Sequence, residues 1–139
     1  MGWSGYSIYS GDDTQTQHYD FLVKAKVVKN DDEIFDGEWL TCRGTIIPKH
    51  KIPLFIKNIG KIKLRVPKFW DEDSAIEHQM LLALFVDNKL PVPRNIFDNG
   101  IIATEYLMGG HAADFDKPSL RRAALKRFIV RAKKLKIAK

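Results

Sequence analysis

Residues 74–86 read Ser-Ala-Ile-Glu-His-Gln-Met-Leu-Leu-Ala-Leu-Phe-Val, and this stretch decides the fold. No polar residue interrupts it between Met80 and Val86. The run is too short to cross a bilayer, and it is rich in the good helix formers Leu, Met and Ala. Acidic side chains at positions 71–73 suit the positive end of a helix. A helix that is apolar on nearly all sides must have neighbours on most of them, so we expect the central helix of a mainly α protein.

Composition predicts one α-rich domain over residues 1–139. The chain is 45% hydrophobic and 29% charged, which is enough apolar material for a core. Cys42 is the single cysteine, so no internal disulfide can form, and we expect a reducing, cytoplasmic setting. Residues 1–6 have neither the basic start nor the apolar core of a signal peptide. No cofactor and no membrane contact is expected.

The N-terminal part is predicted to lead into a first helix. Residues 1–13 place aromatic side chains between glycines, which indicates an irregular segment. Thr14 and Gln17 have the spacing of a capping box, and the helix would run to about Lys29, with Asn30 in the left-handed turn that ends it. Its expected buried residues are Phe21, Leu22, Ala25 and Val28.

At most a short extended or β element is expected, and it falls within residues 38–66. Residues 38–47 mix Trp, Thr and Ile, which favours a strand. Pro53 suits the first turn of a helix from Leu54 to about Arg65. The alternation over residues 62–66 equally favours a strand, so both readings stay open there. The expected buried stripe is Leu54, Phe55, Ile59, Ile62 and Val66.

Two more helices complete a compact bundle of about five. Residues 87–89 turn the chain, and a helix follows from about Arg94 to Met108, ended by Gly109-Gly110. Candidates for burial in it are Ile96, Phe97, Ile101 and Tyr106. The last helix would open near Asp116 and run towards Ile137. One face of it is apolar at helical spacing, and the other is predicted to be entirely basic. That apolar face comprises Leu120, Ala124, Leu125, Phe128, Ile129, Ala132 and Leu135.

Charge is strongly segregated along the chain, whose net charge is +6. Residues 71–116 hold two basic and nine acidic side chains, a net charge of −7, whereas residues 117–139 hold ten basic side chains and no acidic one. Residues 51–70 are also purely basic, with six cations. Such blocks can hold a fold together by mutual attraction, or they can present a basic surface to a polyanion.

The basic C-terminal helix, residues 117–139, is the main candidate binding site. Helical spacing sets Arg127, Arg131 and Lys134 along one edge, within reach of successive phosphates. The alternatives are a solvated face, or pairing with the acidic residues of 71–116. No DNA- or RNA-reading motif is present. The candidate contact residues are Arg121, Arg122, Lys126, Arg127, Arg131, Lys133 and Lys134, with Lys61 and Lys63 from the middle of the chain.

The candidate catalytic and metal-binding residues each have a structural explanation as well. His111, Asp114 and Asp116 follow Gly109-Gly110 and could bind a cation or a phosphate, but helix termination and capping also explain these residues. His18 and Asp20 are two positions apart on a predicted helix and therefore face different ways. His78, on the central helix, is typical of a histidine with a hydrogen-bond partner at the edge of a core. No catalytic residue is assigned, and we expect a non-enzymatic protein.

The N-terminus resembles a known family opening. Residues 1–5 read Met-Gly-Trp-Ser-Gly, and Asp12-Asp13 leads into a helix. This pattern is similar to a family of small uncharacterised bacterial proteins that begin Met-Gly-x-Trp-Gly and soon reach an Asn/Asp-Asp pair. Residues 75–107, a helix, a Pro-containing turn and a second helix, are similar as well. The chain departs from the pattern with Trp at position 3 and Ser at position 4. The resemblance implies no catalytic residue.

Two binding functions are expected from these features. The first is electrostatic contact with nucleic acid through the basic C-terminal helix. The alternative is a phage-type accessory or inhibitory protein that binds an acidic surface of a host protein through the same face, since small size and blocked charge also resemble phage or mobile-element accessory proteins.

Overall fold

The structure, a computed structural model, describes residues 18, 20–29, 40–41, 44–59, 62, 64–109 and 118–138. Its helices are α1 (Ile52–Ile59), α2 (Glu72–Asn88), α3 (Arg94–Met108) and α4 (Pro118–Lys133). A further helical segment includes residues 18 and 20–24, and a 3-10 turn, Lys49–Lys51, leads into α1. The strands are β1 (Leu40–Thr41), β2 (Gly44–Thr45), β3 (Val92–Pro93) and β4 (Ile137–Ala138). The predicted mainly α fold is confirmed.

Helix α2 is the central helix that the sequence predicts. Every residue from Ala75 to Asp87 except Glu77 is buried. The Asp71 side chain caps its N-terminus by accepting a hydrogen bond of 2.8 Å from the Ser74 amide. At the other end the helix runs through Asn88, and only Lys89 turns the chain, with a left-handed φ of 53°. Residues 87 and 88, which were predicted to belong to a turn, are therefore part of the helix.

Close packing of α2 on α3 depends on Gly100. A Cβ atom at this position would lie 2.5 Å from Leu82 Cδ2 and 2.6 Å from Leu82 Cβ. Only glycine lets the two backbones approach this closely, which explains a glycine in the middle of a helix. Helix α3 itself has the predicted bounds, and it packs on α2 and α4.

The helical segment that includes residues 18 and 20–24, which is the first helix of the chain, ends earlier than predicted. Lys24 is the last helical residue rather than Lys29, and Lys26 takes a left-handed φ of 56°. Asn58 of α1 stabilises this early end, because its side-chain amide donates a 2.9 Å hydrogen bond to the Ala25 carbonyl. The predicted terminator, Asn30, lies outside the described residues. All four core residues predicted in this segment are buried.

The helix predicted from Leu54 is confirmed as far as Ile59, but the described residues within 62–66 form neither the helix nor the strand predicted there. Helix α1 ends at Ile59, and residues 62 and 64–67 belong to no helix or strand. The carbonyl of Arg65 lies 3.2 Å from the His78 ring and takes a hydrogen bond from it, so it pairs with a side chain instead of a ladder partner. Val66, predicted to be buried, is half-exposed. The short β element expected in 38–66 is confirmed by the antiparallel pairing of β1 with β2.

The C-terminal helix is also shorter than predicted. It ends at Lys133, and Ile137 and Ala138 instead pair in parallel with Val92 and Pro93. The amide of Val92 donates to the Lys136 carbonyl at 2.9 Å. This pairing brings the end of the chain beside the segment between α2 and α3. The predicted start near Asp116 lies outside the described residues.

Candidate nucleic-acid interface

Helix α4 has a buried face and a charged face, as its spacing predicts. Ala124, Leu125, Phe128 and Ala132 are buried against the core, and Ile129 and Leu135 are partly buried. Two details differ from prediction. Leu120 is exposed, and Val130, 55% exposed, interrupts the face predicted to be entirely basic. Among the described side chains, the exposed cations on α4 and in residues 134–138 beyond it are Lys126, Arg127, Arg131, Lys133, Lys134 and Lys136.

Most of these cations are not neutralised within the described part of the chain. There, no carboxylate oxygen lies within 4 Å of Lys126, Arg127, Lys133 or Lys134, whereas Arg131 Nη2 lies 3.9 Å from Asp87 Oδ1. Pairing with the acidic 71–116 segment is thus seen at one position of this helix. We call the side chains of Lys126, Arg127, Lys133 and Lys134 the basic face.

Arg131 and Arg122 have internal roles that the other cations lack. The Asp87 carboxylate beside Arg131 is buried, and its Oδ2 accepts a 3.0 Å hydrogen bond from the Thr45 amide. Arg131 therefore helps to hold β2 at the end of α2. Arg122 is partly buried, and its Nε donates to the Met108 carbonyl at 3.0 Å. These two residues belong to the fold as much as to any binding surface.

A cleft of about 640 Å³ lies where the ends of α2 and α4 meet. We call it the cationic cleft. Its apolar lining comes from Val86, Leu90, Pro91 and Leu135, and its charged lining from Lys89, Arg131, Lys134 and Lys136. The volume lies within the range of small-molecule sites, about 300–1,000 Å³.

Backbone hydrogen bonds fix both walls of the cationic cleft. On one wall the Leu90 amide donates to the Phe85 carbonyl at 3.0 Å, directly after the left-handed turn at Lys89. On the other wall the Leu135 amide donates to the Ala132 carbonyl at 3.0 Å. The bond from Val92 to Lys136 joins the two walls. The cleft is therefore a product of the β3–β4 pairing.

Sequence reasoning missed Lys89 and Lys136 as members of one site. They lie 47 positions apart, and periodicity carries no information on a parallel pairing between short, distant segments. The apolar spacing through Leu135 instead favoured a continuous helix. We find no local signal that identifies the cleft.

Several predicted site residues lie outside the described structure. These are Lys61, Lys63, His111, Asp114, Asp116 and the side chain of Arg121. The other candidate contact residues are described above. Within the described residues, no group of three or more His, Cys, Asp or Glu side chains is arranged to hold a metal ion. In the same residues, no helix has the length and apolar character to span a membrane.

His18 is part of a buried polar network and not of a surface site. Its Nε2 lies 3.0 Å from the Met80 carbonyl, and its Nδ1 lies 2.7 Å from the Thr45 hydroxyl. Because a carbonyl can only accept, Nε2 carries the proton and Nδ1 accepts from Thr45. Complete burial lowers the pKa of His18 to about 4, since desolvation opposes the charged ring. Asp20 is exposed, so the two side chains do not converge, as predicted.

His78 also has the structural role that the sequence indicates. It is buried on α2, its ring contacts the Arg65 carbonyl, and the Trp70 ring packs edge-on against it with centroids 5.1 Å apart. Neither histidine faces the basic face or the cationic cleft.

Comparison with protein-family models, with curated protein sequences and with solved structures finds no match to this chain. The resemblance of the N-terminus to small bacterial proteins therefore stays a prediction, and the function has to be argued from the surface itself.

Proposed function

We propose that this protein binds nucleic acid by electrostatic contact of the basic face and the cationic cleft with phosphates. The observation that carries the proposal is that four exposed cations of the basic face have no carboxylate within 4 Å in the described residues. Cations that neither pair internally nor pack in the core contribute little to the fold, and they remain available to a polyanion.

The spacing of the cations suits a phosphate backbone. Lys126 and Lys133 are seven positions apart within α4, which corresponds to about 10 Å along a helix axis. Duplex DNA carries a phosphate roughly every 3.4 Å of axis on each strand, so this distance spans about three phosphates. Contacts of this kind are tolerant of sequence and strongly dependent on salt.

The experiment is fluorescence anisotropy with short single- and double-stranded DNA and RNA at 50 and 200 mM salt, using nuclease-treated protein. With about four phosphates neutralised, the affinity is expected to fall roughly 100-fold between the two salt concentrations. No binding to any of these probes at 50 mM salt would contradict the proposal.

Two variants with the same loss of charge locate the contact. The face variant, Arg127→Gln with Lys133→Gln, removes two cations of the basic face. The control variant, Lys24→Gln with Lys49→Gln, removes two exposed cations from elsewhere in the chain. The face variant should bind more weakly and lower the slope of log affinity against log salt by about 2. Equal losses in both variants would show that net charge alone matters.

The alternative partner is an acidic surface of another protein, as for a phage-type accessory protein. The same cations would then contact carboxylates. Capture of a defined protein from cell extract that survives nuclease treatment and is lost in the face variant, without any binding to the oligonucleotides, would favour this alternative.

A further inference from the structure

We propose that the cationic cleft accepts one unpaired nucleotide, with the base against the apolar lining and the neighbouring phosphates on the lysines. This inference rests on the proposed function and adds to it a preference for single strands. Paired and stacked bases in a duplex cannot enter such a cleft, whereas an unpaired base can.

The lining of the cleft indicates a ligand that is both apolar and anionic. Phosphate contact alone needs only exposed cations, such as those of the basic face. The cleft instead combines four apolar residues with four cations in one cavity of about 640 Å³. A nucleotide unit has this combination, because its base offers a flat, weakly polar surface and its phosphates carry the charge.

The position of the cleft makes it continuous with the basic face. Lys134 belongs to both, and Arg131, which also lines the cleft, lies one helical turn beyond Arg127 on α4. A strand whose phosphates follow the basic face therefore reaches the cleft at the end of the helix. This continuity favours a nucleotide within a polymer over an isolated small anion.

The charge of the cleft stays positive after its internal pair is counted. Asp87 is buried behind Arg131, at 3.9 Å, and offsets that one cation. Lys89, Lys134 and Lys136 are exposed, and within the described residues no carboxylate lies within 4 Å of them. Three lysines around an apolar surface can hold the phosphates on both sides of an inserted base.

The test compares three oligonucleotide probes of equal length: a single strand of thymidylate, a single strand of abasic deoxyribose phosphate, and a duplex. The abasic strand keeps the phosphate charge and removes the bases. We expect it to bind about threefold or more weakly than the thymidylate strand, an effect that needs only some 25–30 Å² of buried apolar surface. The duplex should bind more weakly than the thymidylate strand as well.

A cleft variant separates the cleft from the basic face. Lys89→Gln with Lys136→Gln removes two cations that line only the cleft and leaves shorter, uncharged polar side chains in their place. Relative to wild type, this variant should bind the thymidylate strand more weakly, because the phosphates beside the inserted base lose two cations. The difference between the thymidylate and abasic strands should therefore become smaller, and binding of the duplex should stay almost unchanged. The face variant removes the same number of charges outside the cleft. It should weaken all three probes alike and keep that difference.

The outcomes distinguish the two proposals. Binding of all three probes by wild type with equal affinity would overturn the cleft inference and leave phosphate binding intact. A cleft variant that discriminates between thymidylate and abasic strands as strongly as wild type would also overturn it. Absence of binding to every probe would overturn the proposed function, and the inference with it. Unchanged thermal unfolding of both variants shows that the losses are not losses of fold.

Discussion

Helices α2 and α4 differ in the burial of their polar side chains: several are buried in α2, whereas most of those with a charge are exposed in α4. In α2, Gln79 and Asp87 are buried and hydrogen-bonded within the protein: Gln79 Nε2 donates to Thr104 Oγ1 at 3.2 Å, and Asp87 accepts from the Thr45 amide. In α4 most charged side chains are exposed, and in the described residues Arg131 is the one with a carboxylate within 4 Å. The difference indicates which polar residues specify the fold and which are available to a partner.

Asn88, at the end of α2, makes three side-chain hydrogen bonds within the protein. Its side-chain amide donates to the carbonyls of Thr45 and Leu84, and its oxygen accepts from the Ile47 amide at 2.7 Å. Buried or half-buried polar groups of this kind are costly to leave unbonded, and both the nitrogen and the oxygen of the Asn88 side chain have partners. The basic face has no such constraint.

The largest expected change in stability comes from protonation of His18, whose ring is hydrogen-bonded to the Met80 carbonyl of α2. Its pKa is about 4 in the folded protein and near 6.5 when unfolded. Between these values the unfolded chain binds a proton at His18 and the folded chain does not. Stability is therefore fully present above pH 6.5, falls by about 3 kcal/mol as the pH drops to 4, and changes no further below that from this group.

Urea unfolding at pH 7, 5.5 and 4.5 measures this loss, and His18→Gln is the control because glutamine does not titrate. Carboxylates that titrate in the same range act equally in both proteins, so the difference in slope isolates His18. Parallel curves for the two proteins would contradict the assignment. NMR titration gives a second measure, since the His18 ring should stay neutral above pH 5.5.

The next largest expected change in stability comes from a substitution at Gly100, where α3 contacts α2. Helix propensity alone predicts that Gly100→Ala stabilises an α-helix by about 1 kcal/mol. The new Cβ would instead meet Leu82 at 2.5 Å, and the nearby Leu82 Cβ is fixed by the backbone. We therefore expect a net loss of about 1–3 kcal/mol in the free energy of unfolding. Thermal or urea unfolding decides the sign, and a more stable variant would show that the helices are farther apart.

Local sequence patterns predicted the helix bounds that depend on nearby residues. They failed for the bounds that depend on contacts with distant segments of the chain. The apolar run 80–86 identified α2, and the bounds of α3 followed from Pro93 and Gly109. The end of the first helix depends on Asn58, 33 positions from Ala25, so no local feature marks it. In the same way the pairing of Val92 with Ile137 ended α4 early and formed the cationic cleft.

The candidate site was predicted in part for the same reason. Composition and helical spacing are sufficient to identify the basic residues of α4. The sequence also assigned Arg131 to the same edge as Arg127 and Lys134, with equal roles. Its pairing with a buried carboxylate depends on how α4 packs on the end of α2, which periodicity does not report.

The smallest effect separates these two arginines within α4. Arg131→Gln removes the cation that lies 3.9 Å from the buried Asp87 carboxylate, and we expect a loss of about 1 kcal/mol in the free energy of unfolding. The loss is limited because Arg131 is half-exposed and 3.9 Å away. Arg127→Gln removes an exposed charge with no carboxylate within 4 Å in the described residues, so its effect should stay within about 0.5 kcal/mol. Urea unfolding at pH 7 compares the two variants. Equal losses would mean that Arg131 is as dispensable to the fold as Arg127, and that it is equally available for binding.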